Sequence, residues 1–379
     1  MLLAATLGCN DPGNSAETRP GEPGLLVVDS ASGGRLFGRI PCDPCEIVLE
    51  PLIVVSDSGA QVDFGEHQWF RRDRFGRVHT TTLLRDQLAV FDSLGRLVRM
   101  LGRRGTGPGE FASAVFPALM DPTDSLWAMD PRLNQVNIYS SELDFVRSFP
   151  FRFWPDFFLP DGSVVSVRTV EDAELIGYAA HRVSREGHVL TSFGRDPPSY
   201  RPDQALLLEK IGVPTRDGLV WMTAIGRYEL ELWDPVSGRL LRTFTPDAPW
   251  FIETTGNFGD YRTRKPTGAV TSLWADTIGV VWVLSQIADQ DWEPCCDGGP
   301  APHEPATDES MSRYNDWVLN AIHPETGRVL AEKRFRNHVW ATRGDGTIAT
   351  MSTPRAAGTV SFRLSRPILT PSTRQGGIP

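Results

Sequence analysis

The sequence predicts an all-β fold, a six-bladed β-propeller of four-stranded antiparallel blades, on three observations. A turn followed by a strand recurs six times, and a second turn-and-strand phrase recurs five times. One spare apolar strand near the start of the chain can make up the sixth copy of the second phrase. Repeats of about 45–50 residues suit four short strands apiece, the period expected of propeller blades.

The six-fold unit is a tight turn entering a buried strand. It appears at Phe75–Val78, Asp124–Trp127, Asp161–Val164, Asp217–Val220, Ile278–Val281 and Asp345–Ile348. Asp and Gly at these turns supply local hydrogen bonds and positive φ, and the apolar residues that follow begin a strand. The five-fold phrase closes each repeat, at Asp92–Leu101, Glu142–Phe149, Arg185–Phe193, Asp234–Phe244 and Pro324–Phe335. Between the two lies a further strand, such as Leu88–Phe91, Val136–Tyr139 or Leu230–Trp233. The last repeat has three strands, near Val339–Trp340, Thr347–Met351 and Val360–Leu364, and the segment Glu46–Val55 is apolar enough to be its fourth. Closing the ring with that segment removes open sheet edges, which otherwise template pairing with other chains.

Composition narrows the function classes. The chain has 379 residues, 40% hydrophobic, with 35 Gly, 30 Pro and 11 Trp, which fits many turns around a large core rather than disorder. Its formal net charge is −9 and it has no long basic run. Neutralising phosphates needs the opposite field, so nucleic acid is not an expected partner.

The start, Met1 to Cys9, is a short apolar stretch ending in Gly8-Cys9, as at the end of a bacterial lipoprotein signal. Thr6 stands where such signals usually carry Leu, and there is no basic segment before it. Lipidation of Cys9 would make an exported periplasmic or cell-surface protein whose only contact with a membrane is its anchor, because no later apolar run is long enough to span one. The expected organisation is a signal remnant and flexible tether over 1–24, the propeller over 25–369 and a tail over 370–379.

One loop is more specific. Gly105-Thr-Gly-Pro-Gly-Glu-Phe111 lies between the first two repeats, and on this loop and the repeat pattern over about 40–369 the chain resembles the NHL-like six-bladed propellers, including bacterial exported proteins. The other inter-blade loops depart from this pattern. A phosphate-binding loop is not indicated, since no Lys-Ser/Thr follows and no helix pattern begins.

In an up-and-down blade, the turns joining first to second and third to fourth strands share one face. These are uniformly short here. The other face receives Gly102–Pro117, Gly194–Lys210, Thr245–Val270 and Ala288–Asn315. Long loops on a rigid scaffold are where binding concentrates, so a protein, peptide or glycan ligand is expected on that face, bound by a monomer. The aromatic and polar residues expected at the loops or the channel mouth are His67, Trp69, Trp154, Lys210, Trp250, Trp274, Trp292 and His338. Tucking under the loops to pin them is an equally physical role for the aromatics.

Cys42, Cys45, Cys295 and Cys296 are disulfide candidates in an exported chain. Bonding within each pair or between the pairs is open, and a four-thiolate zinc site is the alternative, though Cys295-Cys296 lacks the usual spacing. Some six-bladed propellers are metal-dependent hydrolases or lyases with chemistry at the channel mouth. His67 and His338 could ligate calcium or zinc there, but the other inner-strand starts offer Pro, Trp and Thr rather than carboxylates. No catalytic residue and no cofactor is therefore assigned, and a non-catalytic binding module is the expectation.

Overall fold

The computed structural model describes residues 40–57, 62, 64, 69–82, 86–112, 116–170, 172, 174–195, 209–254, 263–294, 314–341, 346–353 and 360–372. These form six four-stranded antiparallel sheets. The first described strand, β1 (Cys45–Ser56), is followed by blade 1, which holds β2 (Phe70–Arg72), β3 (Val78–Thr82), β4 (Gln87–Phe91) and β5 (Leu97–Leu101). Blade 2 holds β6 (Phe116–Met120), β7 (Leu126–Asp130), β8 (Gln135–Tyr139) and β9 (Phe145–Pro150), and blade 3 holds β10 (Phe157–Phe158), β11 (Val164–Ser166), β12 (Tyr178–Val183) and β13 (Val189–Arg195). Blade 4 comprises β14 (Lys210–Pro214), β15 (Val220–Ala224), β16 (Leu230–Asp234) and β17 (Arg239–Phe244), and blade 5 comprises β18 (Ala269–Ala275), β19 (Val281–Ala288), β20 (Asn315–Ile322) and β21 (Val329–Phe335). Blade 6 is β22 (Val339–Ala341), β23 (Ile348–Thr353), β24 (Ser361–Pro371) and, outermost, the N-terminal β1.

The six-bladed expectation is therefore met, including its closure. β1 pairs antiparallel with β24 from Cys45 opposite Pro371 to Ser56 opposite Ser361, with one bulge between Pro51 and Ile53. Of the four cysteines beyond Cys9, Cys42 and Cys45 form a disulfide with Cα atoms 5.1 Å apart, at the entry to this strand. Cys295 and Cys296 lie outside the described residues, as do the tether and Cys9.

The turns explain why so short a repeat is regular. Asp73 Oδ1 accepts the N–H groups of Phe75 and Arg77. Asp121 does the same for Thr123 and Ser125, and Asp276 for Ile278 and Val280. At the outer turns Asp92 Oδ1 takes Leu94 and Arg96, and the hydroxyls of Ser140 and Ser184 take the equivalent pairs. Each short side chain thus satisfies the backbone donors that a reversing chain leaves open.

Middle strands are buried on both faces by the neighbouring blades: every residue of β3, β7, β15 and β20 is buried. Trp127, Trp221, Trp274, Trp282 and Trp317 are the bulkiest of the filling side chains. Outer strands face solvent, so β9 and β17 are exposed along most of their length. A polar side chain on several outer strands reaches the outer turn of the next blade. Arg99 Nη1 donates to Glu142 O at 3.2 Å, Thr191 Oγ1 to Val236 O at 3.2 Å, and Arg242 Nη1 to Pro324 O at 3.4 Å. These contacts tie blade to blade at the rim, where apolar packing is thinnest.

The Gly105–Phe111 loop is an anchored crossing from blade 1 to blade 2. Phe111 is fully buried, its N–H donates to Arg103 O at 2.9 Å, and its carbonyl accepts from Gly105 N at 3.0 Å. Glu110 accepts Gly107 N–H at 2.8 Å and Arg103 Nε at 2.7 Å. Gly102 enters this loop at φ 77°, and a Cβ there would run into the Phe111 ring. Gly102→Ala is expected to lower unfolding free energy by about 2 kcal/mol or more, the combined cost of left-handed backbone and a core clash. Urea denaturation checks this, and an unchanged midpoint would refute the account.

His181, in the middle of β12, is completely buried, and its Nδ1 lies 2.9 Å from Ser192 Oγ. Burial lowers its pKa from 6.5 to about 4, partly offset by the backbone of Arg168. The folded chain thus binds fewer protons than the unfolded chain between these values. The stability this represents is present above pH 6.5, falls as pH drops, and is gone near pH 4, a loss of about 3 kcal/mol. The urea midpoint of His181→Asn should fall less steeply than that of the parent between pH 7 and 4.5. Parallel curves would show that His181 is not responsible.

Candidate functional site

First strands of all blades run from the loop-bearing face into the ring, so their leading residues and the ends of the second strands meet at the channel mouth. The cavity found there has about 540 Å³ of empty space, part of it open to solvent. It is lined from blade 1 by Arg71, from blade 3 by Asp156 and Arg168, from blade 4 by Glu209 and Lys210, and from blade 5 by Thr271 and Ser272. The walls below are apolar, among them Phe157, Val167, Val213 and Leu273.

Asp156 is the post of this arrangement. It is 8% exposed. Its Oδ2 accepts Val167 N–H at 2.8 Å, its N–H donates to Val165 O at 2.9 Å, and its carbonyl accepts Arg71 Nη2 across the channel at 3.2 Å. These bonds hold together the start of β10 and the end of β11 in blade 3, and join that blade to blade 1. Directly after Val167, Arg168 lays its guanidinium over the Trp154 ring, 4.4 Å from the centroid. This geometry is attractive and is stronger where water is partly excluded.

Lys210 is buried and doubly bonded to Glu231, with Nζ at 2.8 and 2.7 Å from the two carboxylate oxygens. Trp233 Nε1 donates to Glu231 Oε2 at 2.7 Å. The charge expected to face a ligand at Lys210 is thus held by its own sheet.

The other expected residues scatter. Trp69 is half-buried just ahead of β2. His338 is stacked between Trp340, at 3.9 Å and 6°, and Trp317, at 4.5 Å and 14°, so its ring faces are covered. Its proposed partner, His67, lies outside the described residues. Trp250 is the pinning kind of aromatic: its ring packs on Tyr228 at 5.4 Å and its Nε1 donates to Glu332 at 2.7 Å. Trp274 is 2% exposed, stacked on Trp282 at 6.0 Å and 3°, and offers no surface to a ligand. Trp292 is half-buried at the start of the blade 5 insertion, and its N–H donates to Asp289 O at 3.2 Å. Among the described residues no three of His, Cys, Asp and Glu come together as a metal site requires.

Sequence reasoning missed Arg71, Asp156, Arg168, Glu209 and Glu231. One signal was available: in every repeat, the residues next to the start of the first strand and the end of the second lie toward the mouth, and Arg168 comes two residues after a second strand.

Ring and mouth define the class of protein: a six-bladed β-propeller with a charged, aromatic-flanked channel entrance. No protein-family model matches the chain, and no curated protein matches it. Among solved structures it is similar to a member of the DUF4221 family from Bacteroides vulgatus, with TM-score 0.54, 9% identity, and coverage of 86% of this chain and 99% of that one. It is similar also to a candidate exported protein of Bacteroides fragilis, with TM-score 0.55, 10% identity, and coverage of 86% and 97%. A virginiamycin B lyase from Staphylococcus aureus aligns over 85% of this chain and 99% of its own at 9% identity and TM-score 0.42. Identities this low speak to the fold alone.

Proposed function

We propose that the chain is an exported, non-catalytic binding module of NHL-like architecture that presents its loop face and channel mouth to a protein, peptide or glycan. The observation that carries this is the asymmetry of the ring. On one face the described turns are tight and closed by Asp or Ser side chains. The opposite face carries the crossings between blades, the insertion after β19 and a cavity lined by charged residues from three blades, with hydroxyls from a fourth. Pockets of a few placed polar groups over apolar walls, on a rigid scaffold, are the usual form of a ligand site. Export is supported by the Cys42–Cys45 disulfide, which persists in oxidising compartments, and by the apolar stretch ending at Cys9. A lipid anchor on Cys9 would hold the propeller at a periplasmic or cell-surface membrane.

Glycan and peptide arrays probed with labelled protein test the reading. Hits should be lost in Trp154→Ala, at the mouth, and kept in Leu94→Glu, on an outer turn of the opposite face where Leu94 is 72% exposed. The reverse pattern, or an array with no hits, would count against it.

A further inference from the structure

We propose that the mouth of the channel is a carboxylate-binding site in which Arg168 is the recognising group. The proposal rests on the reading of this face as the binding face and names the chemistry of what enters it.

Five charged side chains line the cavity, and three are already engaged. Lys210 is held by both oxygens of Glu231. Asp156 holds the Val167 N–H and, through its carbonyl, Arg71. Arg71 is drawn to the blade 3 side of the channel by that bond. Arg168 is different. It is half-buried, it lines the cavity, and among the described residues its side chain makes no ion pair. Its guanidinium rests on the face of Trp154, 4.4 Å away.

A guanidinium held over an indole face is positioned by it but not satisfied by hydrogen bonds. The ring takes up the face of the ion, and the N–H donors, which lie in the plane of the guanidinium, remain for an acceptor. Two parallel donors from one guanidinium match the two oxygens of a carboxylate, and contact with the ring reduces the ordering cost of binding. Arg71 adds a second cation on the same cavity, and its bond to the Asp156 carbonyl places it beside the strand ends that carry Arg168 and Trp154. Thr271 borders the cavity from blade 5, with its hydroxyl already donating to Leu284 O at 3.1 Å. Asp156 and Glu209 are the carboxylates on the cavity, the first turned onto the Val167 N–H. With Lys210 matched by Glu231, two guanidinium groups face two carboxylates, so the preference for a carboxylate ligand rests on the directed N–H donors of Arg168 and not on net charge. The enclosed part of the cavity is small, so what enters it is the carboxylate end of a ligand and not a folded partner.

The test uses the whole chain and isothermal titration calorimetry at low ionic strength, with sodium malonate as the probe and sodium chloride at equal ionic strength as the blank. Glucuronate against glucose, and an acidic peptide against its amide form, distinguish a sugar acid from a peptide side chain as the source of the carboxylate. Saturable malonate binding is expected, weakened by about tenfold or more in Arg168→Gln, a loss typical of one charged bidentate contact. Trp154→Leu should weaken it as well, by freeing the guanidinium. If Arg168→Gln does not fold, Arg168→Lys decides, since it keeps the charge and loses the fork; its binding should be weaker than the parent's. Equal affinity in the folded Arg168 variant, or no carboxylate bound by the parent chain, would overturn the proposal. Array hits that depend on Trp154 but carry no acid would overturn it too and leave the binding-module reading standing. Malonate binding without array hits would do the opposite.

Discussion

A chain that begins at residue 57 is expected not to fold. It lacks β1, and with it the outer strand of blade 6. The strand pairs with β24 over its full length and buries Ile47, Ile53 and Val55 to 5, 8 and 0% exposure. Burying an aliphatic side chain of this size stabilises by about 1.5–3 kcal/mol, so three contribute on the order of 5–9 kcal/mol. That is comparable to the whole stability of a typical domain, about 5–15 kcal/mol. The loss also exposes β24 as a long unpaired edge, which invites aggregation. Thermal denaturation of the truncated chain should show no cooperative transition. The geometry also predicts its rescue. Cys45 lies opposite Pro371, and Ser372 N donates to Pro44 O at 3.1 Å, so residues 45–56 appended after Ser372 through a two-residue turn would form an ordinary hairpin. This permuted chain should regain a cooperative transition. A truncated chain that melts cooperatively by itself would show that β1 does not close the ring.

The second large effect is expected at Lys210. Lys210→Ala should destabilise the protein by about 3–5 kcal/mol, the usual consequence of removing one member of a buried ion pair. The loss arises because Glu231 stays behind, with Trp233 Nε1 as its remaining side-chain donor among the described residues, in a site that Lys210 had neutralised. The double variant Lys210→Met with Glu231→Gln should recover most of that stability. It removes both charges together, and the amide oxygen introduced in place of the carboxylate can still accept from Trp233. Chemical denaturation of the parent, both single variants and the double variant gives the coupling directly. Additive losses would mean the pair is not the interaction described.

How much of this is legible in the chain follows from what each feature depends on. Turn and strand signals are local. Asp124-Ser-Leu-Trp127 and its five counterparts carry their own backbone donors, acceptors and apolar side chains within a few residues. Six copies are therefore countable, and the shortfall of one outer strand points to Glu46–Val55. The face that receives the long connections follows from the same count, because up-and-down strands alternate ends.

The site is legible only in part. Trp154 and Lys210 are expected at the mouth because they precede or open first strands; Lys210 lines the cavity, and Trp154 lies under Arg168, which lines it. What they touch is not legible. Lys210 meets Glu231, two strands away across blade 4, and Trp154 meets Arg168, at the far end of a hairpin. Sequence position suggests a solvated mouth residue at His338, yet it is stacked between Trp340 of its own blade and Trp317 of blade 5. Trp274 suggests a ligand platform, and its position in the first strand of blade 5 puts it in the packed wall against Trp282 instead.

The sequence by itself determined the class, six blades, and the way the ring is sealed, since these rest on hydrogen bonds and hydrophobic alternation between residues near one another in the chain. The tertiary structure alone decided which charges are spent and which face the channel. Arg71, Arg168 and Thr271 come from three different blades and line one cavity only once the ring is closed. A side chain's charge is read from the chain, but whether it is paired depends on neighbours that ring closure supplies.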